Sequence, residues 1–299
     1  MSRKDKFLVE IQGGLGNQLF GLAFAQYLSQ QQNRDYAISE RQFDRGITKH
    51  GVRIAEFDMS AEYLDDQSRS YLIERIVNKA RREASRILGR DLNVLSNTYF
   101  SRTIGFDPKA EVNIKKRYVG YFQSYIYAEA LRGFLKGQTL NPRVTTDWFK
   151  TKQLEALDKK PIMLHVRRGD YLLVKNEFGV LGLNYYERAL QTLYSLGLSG
   201  PIWIFSDSPE IVEDTFTSDS WRGAEIVKPP IDSAPAESLS LMQFGIANVI
   251  SNSTFSWWPA FLSPHNNGIV VAPEEWFSGM DTPEKLVPEE WIKIKSSWE

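Results

Sequence analysis

The hydrophobic positions of this chain form short apolar runs of strand length, separated by segments in which apolar residues recur at helical spacing. In the second half, the predicted strands lie at 162–166, 202–205, 225–227, 249–250 and 269–272. The predicted helices lie at 184–196, from Pro209 onward, at 237–247 and at 254–262. Regular alternation of strand and helix is typical of a parallel, doubly wound α/β sheet, whose ligands bind at the carboxyl ends of the strands.

The first half opens with the same alternation. An apolar run at 7–11 predicts a strand, a glycine-rich turn follows, and residues 19–28 are apolar on almost every side, which indicates a buried helix. Further short strands are predicted at 36–38 and 118–122, and a turn and a helix follow the second of them.

A polar stretch at 139–160 marks the predicted domain boundary. It contains the turn-forming pair Asn141-Pro142 and ends in charged residues. Because 299 residues exceed the usual size of one domain, we predict two domains, one comprising residues 1–150 and the other residues 151–299.

The segment 71–90 has a different pattern. Its apolar residues recur at helical spacing, and its other face carries six arginine or lysine residues against two glutamates. A solvated face on a packed helix is the simpler interpretation. Peripheral contact with a membrane surface is the alternative.

Composition excludes several classes of protein. A chain with 42% hydrophobic and 24% charged residues can form a sizeable core, and a net charge of −1 argues against nucleic-acid binding. Without cysteine there is no thiol catalysis, and His50, His165 and His265 are too scattered for a zinc site. No apolar run approaches the roughly 20 residues of a membrane span, and the charged start lacks the apolar core of a secretory signal. We therefore expect a cytoplasmic protein.

The strand predicted at 162–166 ends in the sequence HVRRGD. Two adjacent arginines, Arg167 and Arg168, are expensive to bury without an anion, and guanidinium groups match phosphate oxygens bidentately. The pattern predicts a pyrophosphate clamp, and an ion pair between arginine and Asp170 is the structural alternative. Because side chains alternate along a strand, only one of the two arginines is expected to face the ligand.

Two further strand ends carry polar groups. Asp207 ends the next strand, where an acidic residue typically accepts hydrogen bonds from a ribose or base, unless it caps the helix at Pro209. Ser253 and Thr254 precede an aromatic helix start after the strand at 249–250. Hydroxyls and backbone N–H groups at such a helix start bind an anion, or they merely cap the helix.

The glycine-rich turn near the N-terminus resembles a dinucleotide fingerprint but lacks its GxGxxG spacing, because Leu19 stands where the third glycine belongs. Gly14 and Gly16 permit a close backbone approach, and we expect Asn17 and Gln18 to project toward a cleft. No Asp-x-Asp sequence occurs, which disfavours a carboxylate-held divalent metal on a nucleotide diphosphate. Together these features predict a metal-independent transferase with a nucleotide-activated donor.

Six motifs then occur in an order that resembles the bacterial α-1,2-fucosyltransferases of glycosyltransferase family 11. They are GGLGNQLF, GYFQSY at 120–125, HVRRGDY at 165–171, IFSDS at 204–208, SNSTFSWWPAFL at 251–262 and VVAPEEWF at 270–277. The resemblance covers the chain from about residue 7 to about residue 294. It departs from the family pattern at Ser238, which replaces an aspartate and lies beside Glu237.

The resemblance implies a GT-B-like architecture, in which two Rossmann-type doubly wound domains face a central cleft. The N-terminal domain would hold the acceptor and the C-terminal domain the GDP-fucose donor. The implied reaction is inverting transfer of L-fucose from GDP-β-L-fucose to the 2-hydroxyl of a terminal β-galactoside, without a metal or other cofactor. A fucosyltransferase of another linkage or another GDP-sugar transferase is the enzymatic alternative, and a glycan-binding module is the non-enzymatic one.

The resemblance also implies roles for individual residues. Arg168 is expected to stabilise the charge that grows on the β-phosphate, Asp170 is the candidate base, and Asn17 is expected to hold the acceptor or the bridging oxygen. The expected donor-binding residues are His165, Arg167, Arg168, Asp207, Ser253, Thr254 and Phe255. The expected cleft loop comprises Gly14, Gly16, Asn17 and Gln18. The expected acceptor-binding residues are Gln123, Ser124 and Glu177.

Overall fold

The computed structural model describes two compact units in this chain. The described residues are 6–41, 51–59, 61–64, 76–77, 79–80, 83, 86, 97–136, 138–218 and 221–299. The first unit comprises Met1–Val52 and Met59–Phe134, and the second comprises Arg53–Asp58 and Leu135–Glu299.

The first unit contains a parallel sheet in the order β3-β2-β1-β5-β4. Its strands are β1 (Lys6–Glu10), β2 (Asp35–Ser39), β3 (Tyr63–Leu64), β4 (Thr98–Phe100) and β5 (Arg117–Val119). Its described helices are α1 (Leu15–Gln32), α2 (Pro108–Val112) and α3 (Tyr125–Leu135).

Helix α1 lies in the core of the first unit. Its apolar residues, such as Leu19 and Phe24, are fully buried, as the all-round apolar sequence predicts. Phe24 stacks on Phe122 with ring centroids 3.7 Å apart. The backbone of Phe122 has a φ of 52°, so β5 has already ended before this residue, whereas the apolar pattern predicts a strand that reaches it.

The second unit contains a parallel sheet in the order β11-β10-β9-β6-β7-β8. Its strands are β6 (Ile162–Val166), β7 (Ile202–Ser206), β8 (Glu225–Ile226), β9 (Ala247–Val249), β10 (Val270–Pro273) and β11 (Ile292–Ile294). Its helices are α4 (Asp147–Lys159), α5 (Lys175–Phe178), α6 (Leu183–Ser195), α7 (Pro209–Thr215), α8 (Pro235–Leu241) and α9 (Thr254–Leu262).

Strand β6 is buried on both faces, because helices cover the second sheet from two sides. Leu164 and Val166 pack in the cluster that includes Tyr186 of α6. Met163 packs instead with Phe149 of α4, on the opposite face. Side chains that follow β6 therefore continue toward alternate faces of the sheet.

A short segment of the first half of the sequence belongs to the second unit. Phe57 forms an antiparallel bridge with Pro142, and the Arg143 N–H donates to the Glu56 carbonyl at 2.7 Å. The Glu56 carboxylate accepts a hydrogen bond of 3.2 Å from the Ala236 N–H, in the first turn of α8. This segment therefore supplies both backbone pairing and a helix cap to the second unit.

The predicted α/β class with two Rossmann-type units is confirmed by the two parallel sheets. The predicted boundary between residues 150 and 151 falls inside α4, whereas the units divide between Phe134 and Leu135. The helix predicted at 237–247 ends earlier, because α8 passes into a 3-10 turn at Met242–Phe244 and β9 begins at Ala247.

The basic segment predicted as a helix at 71–90 falls largely outside the described residues. Among the helices that the structure describes, none combines the length and the apolar character needed to cross a membrane.

Candidate functional site

The two arginines of HVRRGD follow β6 directly and have different surroundings. The Arg167 side chain is 20% exposed, whereas the Arg168 side chain is 2% exposed. This agrees with the expectation that neighbouring side chains at a strand end point to opposite faces. Solvent therefore reaches Arg167 more readily than Arg168.

Arg167 is held by two carboxylates and an aromatic ring. Its Nη2 lies 2.5 Å from Oδ1 of Asp170, and its Nη1 lies 3.1 Å from Oδ2 of Asp207. The guanidinium carbon lies 5.2 Å from the centroid of the Tyr171 ring, a cation–π contact. The ion pair with Asp170, predicted as the structural alternative, is thus present.

Asp207 joins the ends of the neighbouring strands β6 and β7. Besides its ion pair with Arg167, it accepts a hydrogen bond of 2.9 Å from the Arg168 N–H. A Cβ on Gly169 would lie 2.1 Å from Oδ2 of Asp207, so the carboxylate can approach only because residue 169 is glycine. The N-cap of α7 is Ser208, and the suggestion that Asp207 caps this helix is wrong.

Arg168 is paired with Glu299, a residue that sequence reasoning missed. Nη1 of Arg168 contacts Oε2 of Glu299, while Nε and Nη2 are buried and find no hydrogen-bond partner among the described residues. The Glu299 N–H donates to the Val180 carbonyl at 3.0 Å, which anchors the residue. Arg168 therefore has a carboxylate partner within the protein. No local pattern could reveal a pair separated by 131 positions.

His165 is a buried, neutral histidine. Its Nδ1 is hydrogen-bonded to Oγ of Ser251 at 2.8 Å, and its ring lies 5.7 Å from that of Phe255. Burial, and to a smaller extent the charge of Arg167, lowers the pKa of His165 from 6.5 to about 3. The imidazole is therefore an uncharged group that holds the Ser251 hydroxyl.

The segment that precedes α9 is held by hydrogen bonds from several directions. Ser253 is the N-cap of α9, and its Oγ accepts from the Phe255 N–H at 3.3 Å, so the predicted cap is confirmed. Asn252 donates from Nδ2 to the Phe178 carbonyl at 2.8 Å. The Tyr171 hydroxyl donates to the Asn252 carbonyl at 3.2 Å. Thr254 and Phe255 follow the cap and are half-buried.

The glycine-rich turn of the first unit leads into α1. Gly13 has a φ of +70°, and a Cβ there would lie 2.5 Å from Nδ2 of Asn17. Gln18 is fully buried and donates from Nε2 to the carbonyls of Gly13 and Gly51, each at 3.0 Å. The expectation that Gln18 projects toward a cleft is therefore wrong, because its side chain holds the turn. Asn17 is half-buried.

The residues predicted to bind the acceptor have separate roles in the structure. Gln123 is buried and donates from Nε2 to Oδ1 of Asn17 at 3.0 Å. Ser124 is fully buried, and its Oγ accepts from the Ile126 N–H at 3.2 Å, at the start of α3. Glu177 lies in α5 of the second unit and is exposed. The structure thus joins Gln123 to the turn and uses Ser124 as a helix cap.

The carboxylate beside the departure at Ser238 has a structural role. The neighbouring Glu237 is buried and accepts from the Thr146 N–H at 2.5 Å, at the start of α4. Ser233 also donates to Glu237 through its hydroxyl. This carboxylate is therefore committed to linking α4 and α8.

The part of the chain that the structure describes contains no group of three or more histidine, cysteine, aspartate or glutamate side chains that could hold a metal ion.

Comparisons with known proteins agree with these features. The chain matches glycosyl transferase family 11 over residues 6–295. It is 27% identical to the O-antigen biosynthesis glycosyltransferase WbnK of Escherichia coli, over 95% of this chain and 99% of that protein. It is 22% identical to an alpha-1,2-colitosyltransferase of Escherichia coli, over 96% of this chain and 98% of that protein. The solved fucosyltransferase NodZ from Bradyrhizobium is 13% identical, with a TM-score of 0.47, over 87% of this chain and 94% of that one.

We expect Gly169→Ala to destabilise the second unit. The added methyl group would force Asp207 away from Arg167 and Arg168, which form the arginine turn at the end of β6. The free energy of unfolding should fall by about 1–3 kcal/mol, the usual range for overpacking, in denaturant titrations. Gly133→Ala is the matched control, since a Cβ there meets nothing within 4 Å in α3, and alanine is favoured in a helix. Equal stability of the two variants would refute the steric role of Gly169.

We expect the buried His165 to make stability depend on acidification. Below about pH 6.5 the unfolded chain binds a proton that the folded chain rejects down to about pH 3, so stability decreases as the pH falls. Between about pH 7 and about pH 5 this contributes about 2 kcal/mol.

Urea unfolding of the wild type and of His165→Gln at several pH values measures this contribution. The two proteins should lose stability at different rates between about pH 7 and about pH 5, and at the same rate above about pH 7. Parallel curves across the whole range would show that His165 is not held neutral.

Proposed function

The chain belongs to glycosyltransferase family 11, and within this family we propose that it is an inverting α-1,2-fucosyltransferase. It transfers L-fucose from GDP-β-L-fucose to the 2-hydroxyl of a terminal β-galactoside. The observation that carries the proposal is the arginine turn at the end of β6, where Arg167 and Arg168 lie next to each other. Paired guanidinium groups suit the diphosphate of a nucleotide sugar.

The donor is proposed to bind to the second unit. Its anion-binding groups are the arginine turn and the start of α9, where Ser253 caps a helix whose first turn carries no acidic residue. The N–H groups at such a helix start attract negative charge. His165, Asp207, Thr254 and Phe255 complete the proposed donor site.

The chemistry requires stabilisation of the leaving GDP. Negative charge grows on the β-phosphate as the bond to fucose breaks, so cations already positioned there favour the transition state over the ground state. Asp207 holds the backbone of Arg168 and the guanidinium of Arg167, which supports such preorganisation.

Either arginine can be the one that contacts the β-phosphate. The exposed fraction favours Arg167, at 20% against 2% for Arg168. Arg168 has buried Nε and Nη2 atoms with no hydrogen-bond partner among the described residues. This edge of a guanidinium can bind phosphate through two parallel hydrogen bonds, so both arginines stay in the proposal.

The acceptor is proposed to bind to the first unit through Asn17 and Gln123. Asp170 is the proposed base, with Glu177 as a second carboxylate. The Asp170 carboxylate is exposed and paired with Arg167, so it lies beside the proposed donor site within reach of solvent. An oxocarbenium-like transition state needs little help from a base.

GDP-colitose is the second candidate donor. It is favoured by the similarity to an alpha-1,2-colitosyltransferase, over 98% of that protein. Colitose lacks the 3-hydroxyl of fucose, so the two donors differ by one hydrogen-bonding group.

O-antigen is the proposed class of acceptor, because the chain is similar to WbnK. A cytoplasmic location is a further part of the proposal, and membrane contact through 71–90 stays the alternative to a solvated face.

We expect transfer of fucose to the 2-hydroxyl of β-galactosides without added metal. The purified protein is incubated with GDP-fucose or GDP-colitose and a panel of β-galactosides, with and without EDTA, and the product linkage is determined by NMR. A clear preference for GDP-colitose would assign the alternative donor. A loss of more than about tenfold in transfer activity with EDTA, restored by Mg²⁺, would overturn the metal-free mechanism. Binding of the galactoside without transfer of a sugar would indicate a glycan-binding module.

We expect alanine at the phosphate-binding arginine to reduce turnover by about 10² to 10³, as for loss of one preorganised donor, and to weaken GDP binding. Arg167→Ala, Arg168→Ala and the two lysine variants are compared by turnover, GDP affinity and melting temperature. Lysine should recover only part of the activity, because it cannot form the bidentate contact.

The structural alternative gives the reverse pattern. If an arginine only stabilises the fold, its removal should lower the melting temperature and change turnover per folded molecule only modestly. If Arg168→Ala behaves in this way while Arg167→Ala loses turnover, the β-phosphate contact belongs to Arg167. If neither variant changes turnover or GDP affinity, the proposed donor site is wrong.

A further inference from the structure

Two amide side chains in the first unit meet across a long separation in sequence. Nε2 of Gln123 donates to Oδ1 of Asn17 at 3.0 Å, across 106 positions. Asn17 belongs to the glycine-rich turn and Gln123 to the segment between β5 and α3. The contact therefore joins two motifs that the sequence presents as independent.

The backbone around Gln123 is fixed on both sides. Phe122 holds a φ of 52° while its ring stacks on Phe24. The Gln123 N–H donates to the Ile104 carbonyl at 2.7 Å, and Ser124 caps the next helix. Since its backbone cannot easily move, the Gln123 carboxamide has a defined position beside Asn17.

The Asn17 carboxamide is confined at both ends. Its Nδ2 lies against Gly13, where a Cβ would come within 2.5 Å, and its Oδ1 accepts the hydrogen bond from Gln123. A side chain in the first turn of α1 would otherwise sample several rotamers. The bond from Gln123 selects among them.

Gln123 also retains an unused acceptor. The residue is 6% exposed, and its Oε1 finds no hydrogen-bond partner among the described residues. A buried acceptor without a donor destabilises a fold by about 1–3 kcal/mol, so this oxygen is suited to a donor that arrives with a ligand. Sugar hydroxyls are donors of this kind.

We propose that Gln123 is a positioning residue for Asn17 and that its Oε1 accepts a hydrogen bond from a hydroxyl group of the acceptor sugar. The proposal rests on the proposed function, because that function supplies the sugar. It assigns two tasks to one carboxamide: the nitrogen orients Asn17 and the oxygen binds the ligand.

The test compares Gln123→Met with Gln26→Met. Methionine keeps the approximate length of glutamine and removes both hydrogen-bonding groups. Gln26 is the matched control, since it is a glutamine of the same unit with the same 6% exposure and lies within α1. Both changes remove a buried amide, but only Gln123→Met removes the bond to Asn17.

We expect Gln123→Met to lower kcat/KM for the acceptor by about 10- to 100-fold, the range for a lost buried hydrogen-bond partner. GDP affinity and melting temperature should change no more than in Gln26→Met. In an Asn17→Ala background, Gln123 has no Asn17 carboxamide to position. The effects of Asn17→Ala and Gln123→Met on kcat/KM should therefore be less than additive. Additive effects, or an equal loss in Gln26→Met, would overturn the positioning role.

Acceptors that lack single hydroxyls test the second task. One deoxy-galactoside should lose activity with the wild type and no further activity with Gln123→Met, because the bond is already absent. If every deoxy-galactoside lowers activity by the same factor with the wild type and with Gln123→Met, Oε1 binds no acceptor hydroxyl.

A measurement without turnover separates this proposal from the proposed function. The side-chain amide signals of Asn17 in ¹H–¹⁵N spectra should change position in Gln123→Met, which loses the Gln123 bond, and remain in place in Gln26→Met. Unchanged signals in Gln123→Met would refute the positioning role. If the wild type transfers no fucose while the Asn17 signals shift as expected, the proposed function fails and the positioning role stands.

Discussion

The contact of Asp207 with the arginine turn is the interaction on which the end of β6 depends. One carboxylate oxygen holds the Arg168 N–H and the other holds the Arg167 guanidinium. Because β6 and β7 pair in parallel, from Ile162 opposite Ile202 to Val166 opposite Ser206, Asp207 reaches the turn from the neighbouring strand. The missing side chain of Gly169 makes the approach sterically allowed.

The carboxylates around this turn also set its electrostatic state. Arg167 faces Asp170 and Asp207, and Arg168 faces Glu299. Three carboxylates therefore surround two positive charges, and the neutral His165 adds no positive charge.

The sequence predicts those features that depend on neighbours along the chain. The strand that ends in HVRRGD, the Ser253 cap of α9 and the buried α1 all follow from local pattern, and the structure contains each of them. The α/β class follows from the same periodicity, summed over many elements.

Features that depend on distant partners could not be predicted. The Glu299 partner of Arg168 and the burial of Gln18 beneath the glycine turn require contacts that no spacing specifies. The domain division differs for the same reason, since residues 53–58 join the second unit through Phe57 and Glu56.

The second unit is consequently not a continuous piece of sequence. A fragment that begins at Leu135 would lose the strand partner of Pro142 and the carboxylate that caps α8. A chimera of two relatives with a single crossover near residue 134 would carry a foreign version of that segment. Exchange of the first unit therefore requires residues 53–58 to stay with the second unit.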